Sequence, residues 1–242
     1  MDAKRSSTTP HSRVALVTGA SRGLGRALTA SLLRDGWVVI VDARDAARLS
    51  ASVAAMDGGN AVVVVPGDVS DPSHRADLAA AAASMGGLDL LVNNASMLGP
   101  SPQPPLAEYP LPTLEQVYAV NTIAPLALFQ LVLPHLRTGA CIINVSSDAA
   151  VEAYEGWGGY GSSKAALDQV TAVIGAEHPA LRVYAFDPGD MNTDLHQQAF
   201  PGEDISDRAS PESVAPALMR LIAGELPSGR YRSSDLADET RL

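Results

Sequence analysis

Six short apolar runs, Val14–Val17, Trp37–Val41, Ala61–Val65, Asp89–Val92, Ala140–Val145 and Arg182–Phe186, recur along the chain with helix-like stretches between them. A strand that is apolar at nearly every position buries both of its faces, which requires a parallel sheet covered by helices on both sides. Because each strand–helix–strand crossover is right-handed, the sheet is doubly wound. Tyr231 and its neighbours are a candidate seventh strand. The 242 residues suit one domain, placed at 13–242 behind a polar segment, 1–12, expected as a flexible N-terminal tail. Met97–Pro112, with six prolines, is expected as loop and Thr113–Leu136 as a long helix kinked or broken at Pro125. The polar stretch at about 190–210, with Pro201-Gly202 inside it, has the composition of a mobile lid. A last helix is expected over Pro211–Ala223, capped by Ser210.

The first apolar run leads into Thr18-Gly19-Ala20-Ser21-Arg22-Gly23-Leu24-Gly25 and then into a helical pattern. A buried strand, a glycine turn and a helix start hold a pyrophosphate, because unpaired backbone N–H groups and the helix dipole point at the anion. Placed at the first strand–helix turn, the motif makes the predicted class an α/β, Rossmann-like doubly wound parallel sheet of six to seven strands in a single domain.

Further along lies Tyr160-Gly161-Ser162-Ser163-Lys164. On a helix, Tyr160 and Lys164 share a face one turn apart. A neighbouring ammonium favours the phenolate, so the tyrosine pKa is expected to fall toward working pH and make a general acid or base.

Charge and cysteine usage narrow the partners. With 17 basic against 27 acidic residues and a net charge of −10, no nucleic acid and no anionic membrane surface is expected as partner. The lone Cys141 excludes a disulfide framework or cysteine-rich metal site and suggests a reducing, cytoplasmic setting. No run of about eighteen uncharged apolar residues occurs, so no membrane span is expected.

The glycine motif at 18–25, Asn93-Asn94-Ala95, Asn121, Ser147 and Tyr160-x-x-x-Lys164 together resemble the short-chain dehydrogenase/reductase family, over about Val14 to Ala223. The resemblance implies that Tyr160 passes a proton to or from the carbonyl oxygen, Lys164 lowers its pKa and holds the nicotinamide ribose, and Ser147 hydrogen-bonds the carbonyl oxygen. Asn121 would fix a water linking Lys164 to solvent. Each also has a plainer reading: Ser147 as a helix cap, Asn121 as the partner of a backbone group in a kinked helix. By the same resemblance the cofactor contacts fall at Gly19, Ser21, Arg22, Gly23, Leu24 and Gly25, at Ala43 and Arg44, at Asp68 and Val69, at Asn93 and Ala95, at Tyr160 and Lys164, and at Pro188, Gly189 and Thr193. No metal site is implied.

Cofactor choice turns on the end of the second strand. Counting from Gly36, the ribose-binding acid of NAD-dependent relatives would fall at Ala43; Asp42 comes one residue early, on the opposite face. Arg44 and Arg22 match NADP-dependent relatives, so NADP(H) is favoured, with NAD(H) the alternative if a bulge turns Asp42 inward. Ser96 stands where the family usually has glycine, and the usual C-terminal ending is missing, which puts a tetramer in doubt and leaves a homodimer open. The expected activity is an NADPH-dependent ketone or aldehyde reductase acting on a small-molecule carbonyl. Alternatives are alcohol oxidation by the same residues, or a regulatory protein that binds a dinucleotide without catalysis. Glu152, Tyr154, Trp157, Met97, Leu98, Met191, Leu195 and Phe200 are expected to line the substrate pocket, and His196 to be a surface residue of the lid.

Overall fold

The computed structural model describes residues 12–56 and 58–236, so nearly all of the expected N-terminal tail lies outside the described residues. The strands are β1 (Val14–Val17), β2 (Val38–Val41), β3 (Val62–Val64), β4 (Leu88–Asn93), β5 (Leu136–Val145), β6 (Arg182–Asp187) and β7 (Gly229–Arg232). All pair in parallel, in the order β3-β2-β1-β4-β5-β6-β7. The candidate strand at Tyr231 is therefore real and forms one edge.

Helices α1 (Gly23–Arg34), α2 (Ala46–Ala54), α3 (Pro72–Ser84), α4 (Leu111–Tyr118), α5 (Ala124–Val132), α6 (Gly158–Glu177), α7 (Asp194–Ala199) and α8 (Pro211–Ala223) connect them. On one face of the sheet, Leu24, Leu28 and Leu32 of α1 and Leu218 and Leu221 of α8 pack on Val17, Val39 and Phe186. On the other, Leu78 of α3, Leu128 and Phe129 of α5 and Ile174 of α6 pack on Leu16, Leu91 and Ile142. Two apolar layers around one sheet explain why the strands are apolar throughout.

The long helix expected over 113–136 is divided. Between α4 and α5 lies a π turn, Ala119–Ile123, and Pro125 is the second residue of α5. Proline has no N–H and its ring clashes with the carbonyl four residues back, that of Asn121, so the ladder widens there. Pro112, expected in the loop, instead occupies the first turn of α4, where a missing N–H costs nothing. The chain over this region re-enters the sheet at Leu136, four residues earlier than the expected strand. By length and composition alone, Leu111–His135 would cross a membrane, with a hydropathy of 1.6 over its best window. Half of that window is buried in the protein, where Val117, Leu128 and Val132 fill the core.

The switch in strand order falls between β1 and β4, and in such sheets the crevice opens outside the carboxyl ends of the strands. Thr18, just past β1, bridges the two: its Oγ1 accepts from the N–H groups of Asn94 (2.9 Å) and Ala95 (3.0 Å).

Candidate active site

A cleft of about 670 Å³ runs along this crevice, from the glycine turn past the ends of β4 and β5 to α7. Its floor at the first turn is bare backbone. Arg22 precedes α1 in extended conformation, and neither a side-chain cap nor an acidic residue covers the first N–H groups of the helix. These donors stay available to an anion. Gly19 has φ of +67°, and a Cβ there would lie 2.9 Å from the Cα of Ala95. A Cβ on Gly25 would lie 2.6 Å from the carbonyl oxygen of Gly19. Close packing of turn on helix thus requires glycine at both positions.

At the far side of the turn, Asp42 is buried and fully engaged. Its Oδ1 accepts from the Gly19 N–H at 2.8 Å and its Oδ2 lies 3.0 Å from His74 Nε2. Burial raises its pKa, against the hydrogen bonds from His74 and Gly19. The carboxylate braces the glycine turn. Asp42 borders the cleft beside Ala43 and Arg44, with Arg22 and Arg48 on the same rim. Arg22 and Arg48 both pair with Asp194 at the start of α7, the latter at 3.4 Å. Arg48, one turn into α2, carries no motif and was not singled out from the sequence. Asp68 and Val69 also line the cleft. Burial opposes ionisation of Asp68, but the hydrogen bonds from Ser70 and the charge of Arg44 outweigh it and hold its pKa low.

At the other end, β5 delivers Ser146 and Ser147, and α6 brings Tyr160 and Lys164 to the same wall. Tyr160 is buried among Leu98, Ala149 and Trp157. Burial pushes its pKa up to about 12; the Ser96 and Ser147 hydroxyls oppose the shift, and the charges of Asp148 and Asp187 add to it. Lys164 is buried too, which pushes its ammonium down to about 8, against the charge of Asp168. Its Nζ donates to the Val145 carbonyl at 2.7 Å and stands 5.6 Å from the centre of the Tyr160 ring. The expected lowering of the tyrosine pKa by lysine is therefore not met: loss of solvent is the larger effect, and the ammonium is turned toward the backbone. At neutral pH Tyr160 carries its proton.

Most of the residues singled out from the sequence meet in this cleft: Gly19, Ser21, Arg22, Gly23, Leu24, Ala43, Arg44, Asp68, Val69, Ala95, Ser147, Tyr160, Lys164, Pro188, Gly189 and Thr193. Gly25, Asn93 and Asn121 stand behind its wall. Asn93 Nδ2 donates to Asn144 Oδ1 at 2.8 Å, and Asn144 in turn to Thr171, a buried chain between β4, β5 and α6. The Asn121 amide is saturated: Nδ2 donates to the Met97 carbonyl and Ser163 Oγ, while Oδ1 accepts from the Met97 N–H and Ser96 Oγ. Its side chain fastens the segment after β4 to α6.

Ser147 Oγ donates to Asp148 Oδ1 at 2.9 Å and accepts from the Ala149 N–H at 3.2 Å, so the catalytic candidate also caps a short turn. His196, expected at the lid surface, is buried and stacks on Phe200 with ring centres 4.8 Å apart. Glu152 and Tyr154, expected in the pocket, are instead exposed and bonded to each other at 2.9 Å. The segment 190–210 contains α7, capped by Thr193, and a bridge between Met191 and Ala209 pins its ends.

Residues 13–204 match the short chain dehydrogenase family model. The chain is 33% identical to the sepiapterin reductase of Mus musculus over 201 residues, 77% of each protein. It is 31% identical to the (S)-benzoin-forming benzil reductase of Saccharomyces cerevisiae, over 93% of this chain and 85% of that protein. Among solved structures, a short chain dehydrogenase of Escherichia coli CFT073 complexed with NADPH superposes with a TM-score of 0.85 at 27% identity, covering 91% of this chain and 96% of the other. With the sheet order, the glycine turn and the Tyr160–Lys164 wall in place, these matches make the chain an oxidoreductase belonging to the short-chain dehydrogenase/reductase family.

Proposed function

We propose that the protein reduces a ketone or aldehyde with NADPH, and that its preferred substrates carry an aromatic group next to the carbonyl. The observation that carries this reading is the buried, protonated Tyr160 hydroxyl among Ser96, Ser147 and Lys164, on the same cleft as the uncapped start of α1. A phenol that holds its proton at neutral pH can donate it to a carbonyl oxygen.

The residues fit a dinucleotide with a third phosphate. The N–H groups at the start of α1 suit the pyrophosphate, and Arg44, Arg22 and Arg48 surround the position expected for the 2′-phosphate, while Asp42 is occupied by Gly19 and His74. The bound nicotinamide would supply the hydride. Tyr160 would give its proton to the carbonyl oxygen as negative charge develops there, and Ser147 would turn its single O–H from Asp148 to the same oxygen. Lys164, now held by the Val145 carbonyl, would return a proton to Tyr160 and hold a ribose hydroxyl.

Support for the substrate class comes from the wall beyond Tyr160. Trp157 stands edge-on to Tyr160 at 5.9 Å and packs on Phe200 at 5.8 Å. Such surfaces favour a flat, apolar partner. The relatives named for benzil and sepiapterin point the same way, both compounds carrying a carbonyl next to a ring or a second carbonyl.

The test follows absorbance of reduced cofactor with benzil, aryl ketones and aliphatic ketones, using NADPH and NADH. Tyr160→Phe should lower turnover by at least about 10²-fold and keep cofactor binding. Turnover equal to that of the unaltered protein would overturn the assignment.

A further inference from the structure

At the edge of the sheet, outside every motif of the family match, β7 presents Arg230 to the hydride-transfer end of the cleft. Its guanidinium joins three segments. Nε donates to Asp168 Oδ2 on α6 at 3.0 Å, and Nη2 donates both to Asp187 Oδ2 at the end of β6, at 2.8 Å, and to the backbone carbonyl of Ser147, at 2.9 Å. Asp187 in turn accepts the Gly189 N–H at 3.0 Å, ordering the turn expected to face the nicotinamide.

We propose that Arg230 is a positioning residue of the active site: one guanidinium that fixes the Ser147 turn and neutralises Asp168 and Asp187, the two carboxylates behind Lys164 and Tyr160. The proposal rests on the reductase reading and adds to it a residue that touches neither substrate nor cofactor. A planar fork can satisfy acceptors in several directions at once, which an ammonium cannot.

The electrostatics agree with the geometry. Asp168 lies one helical turn beyond Lys164, and its charge favours the ammonium, while Asp187 disfavours the Tyr160 phenolate. Burial works against the charge of Arg230, yet hydrogen bonds to Asp187 and Asp168 outweigh it and raise its pKa. Asp168, on the same helix, is the charge that acts on Lys164; Asp148 and Asp187 act on Tyr160 one turn away, Arg230 pairs with Asp168 and Asp187, and Arg232 lies farther out, 3.7 Å from Asp187. Without Arg230, Asp187 keeps only the more distant Arg232 and Asp168 only Lys164 itself as a cationic partner, so both carboxylates act more strongly on the site. The Lys164 ammonium is then favoured, the Tyr160 phenolate disfavoured, and both pKa values rise.

The chain has only two lysines, Lys4 and Lys164, so protein labelled with carbon-13 at the lysine Cε gives two signals, of which Lys164 titrates near 8. In Arg230→Gln that midpoint should rise by about one pH unit, and kcat should fall about 10- to 100-fold with KM for NADPH little changed. Arg230→Lys, which keeps the charge but not the fork, should return the midpoint toward that of the unaltered protein while kcat stays low. An unmoved midpoint or an undiminished kcat in folded Arg230→Gln overturns the proposal. If that variant does not fold, full kcat in Arg230→Lys does so. Absence of any ketone reduction by the unaltered protein, or full activity in Tyr160→Phe, would instead strike the reductase reading, and the lysine titration would still decide the role of Arg230.

Discussion

Lys164 should make the protein less stable than it could be, and replacing it with methionine exposes how much. The residue is 2% exposed, and burial brings its pKa to about 8 from the ordinary 10.5. The folded-state pKa is depressed, so at pH 7 the folded chain holds a charged, buried ammonium that the unfolded chain would solvate. Each pKa unit is worth about 1.4 kcal/mol, which puts the cost at pH 7 near 3 kcal/mol. Methionine fills a similar volume without the charge. It also leaves the Val145 carbonyl without its 2.7 Å donor, a loss of about 1 kcal/mol. Lys164→Met should therefore be more stable at pH 7 by about 2 kcal/mol, even as it loses turnover. The gain should shrink as pH rises from 8 to 10.5, because in that window the unfolded lysine stays charged while the folded one becomes neutral. Urea denaturation at pH 7, 8 and 9.5, read by tryptophan fluorescence, measures both claims. A variant less stable than the unaltered protein at pH 7, or a difference that does not vary with pH, would refute the reasoning.

Arg44→Ala should weaken NADPH binding by about 2 kcal/mol, the size of one charge-assisted contact, and NADH binding far less; fluorescence titration with each cofactor checks this, and equal losses would reject the contact with the 2′-phosphate. His74→Leu leaves the buried Asp42 carboxylate with only the Gly19 N–H, so stability should drop by about 3 kcal/mol at neutral pH. The deficit should diminish in acid as Asp42 takes up a proton, measurable by thermal unfolding between pH 7 and 4.5.

Local pattern carried much of this molecule. The apolar runs at 14–17 and 38–41, the glycines at 19 and 23 and the Ser210 cap before Pro211 each state their own conformation, because strand burial, positive φ and capping are settled within a few residues. The Tyr160–Lys164 spacing likewise put both side chains on one helix face. What the pattern did not carry depended on partners distant in the chain. Asp42, which the spacing sets one residue off the ribose position, meets His74, 32 residues on, only in the folded chain. The Asn121 side chain likewise meets Met97 and Ser163 only there.

By itself, then, the order of apolar runs and glycines determined a doubly wound sheet with a dinucleotide turn at its first crossover, since periodicity and turn chemistry are short-range properties. Only the tertiary structure decided that the Tyr160 hydroxyl is buried with a raised pKa, that Arg230 comes from the far edge of the sheet to the Ser147 turn, and that His196 is buried. Desolvation and ion pairing depend on which segments meet in space, and residues 83 positions apart, such as Ser147 and Arg230, meet only once the sheet is built.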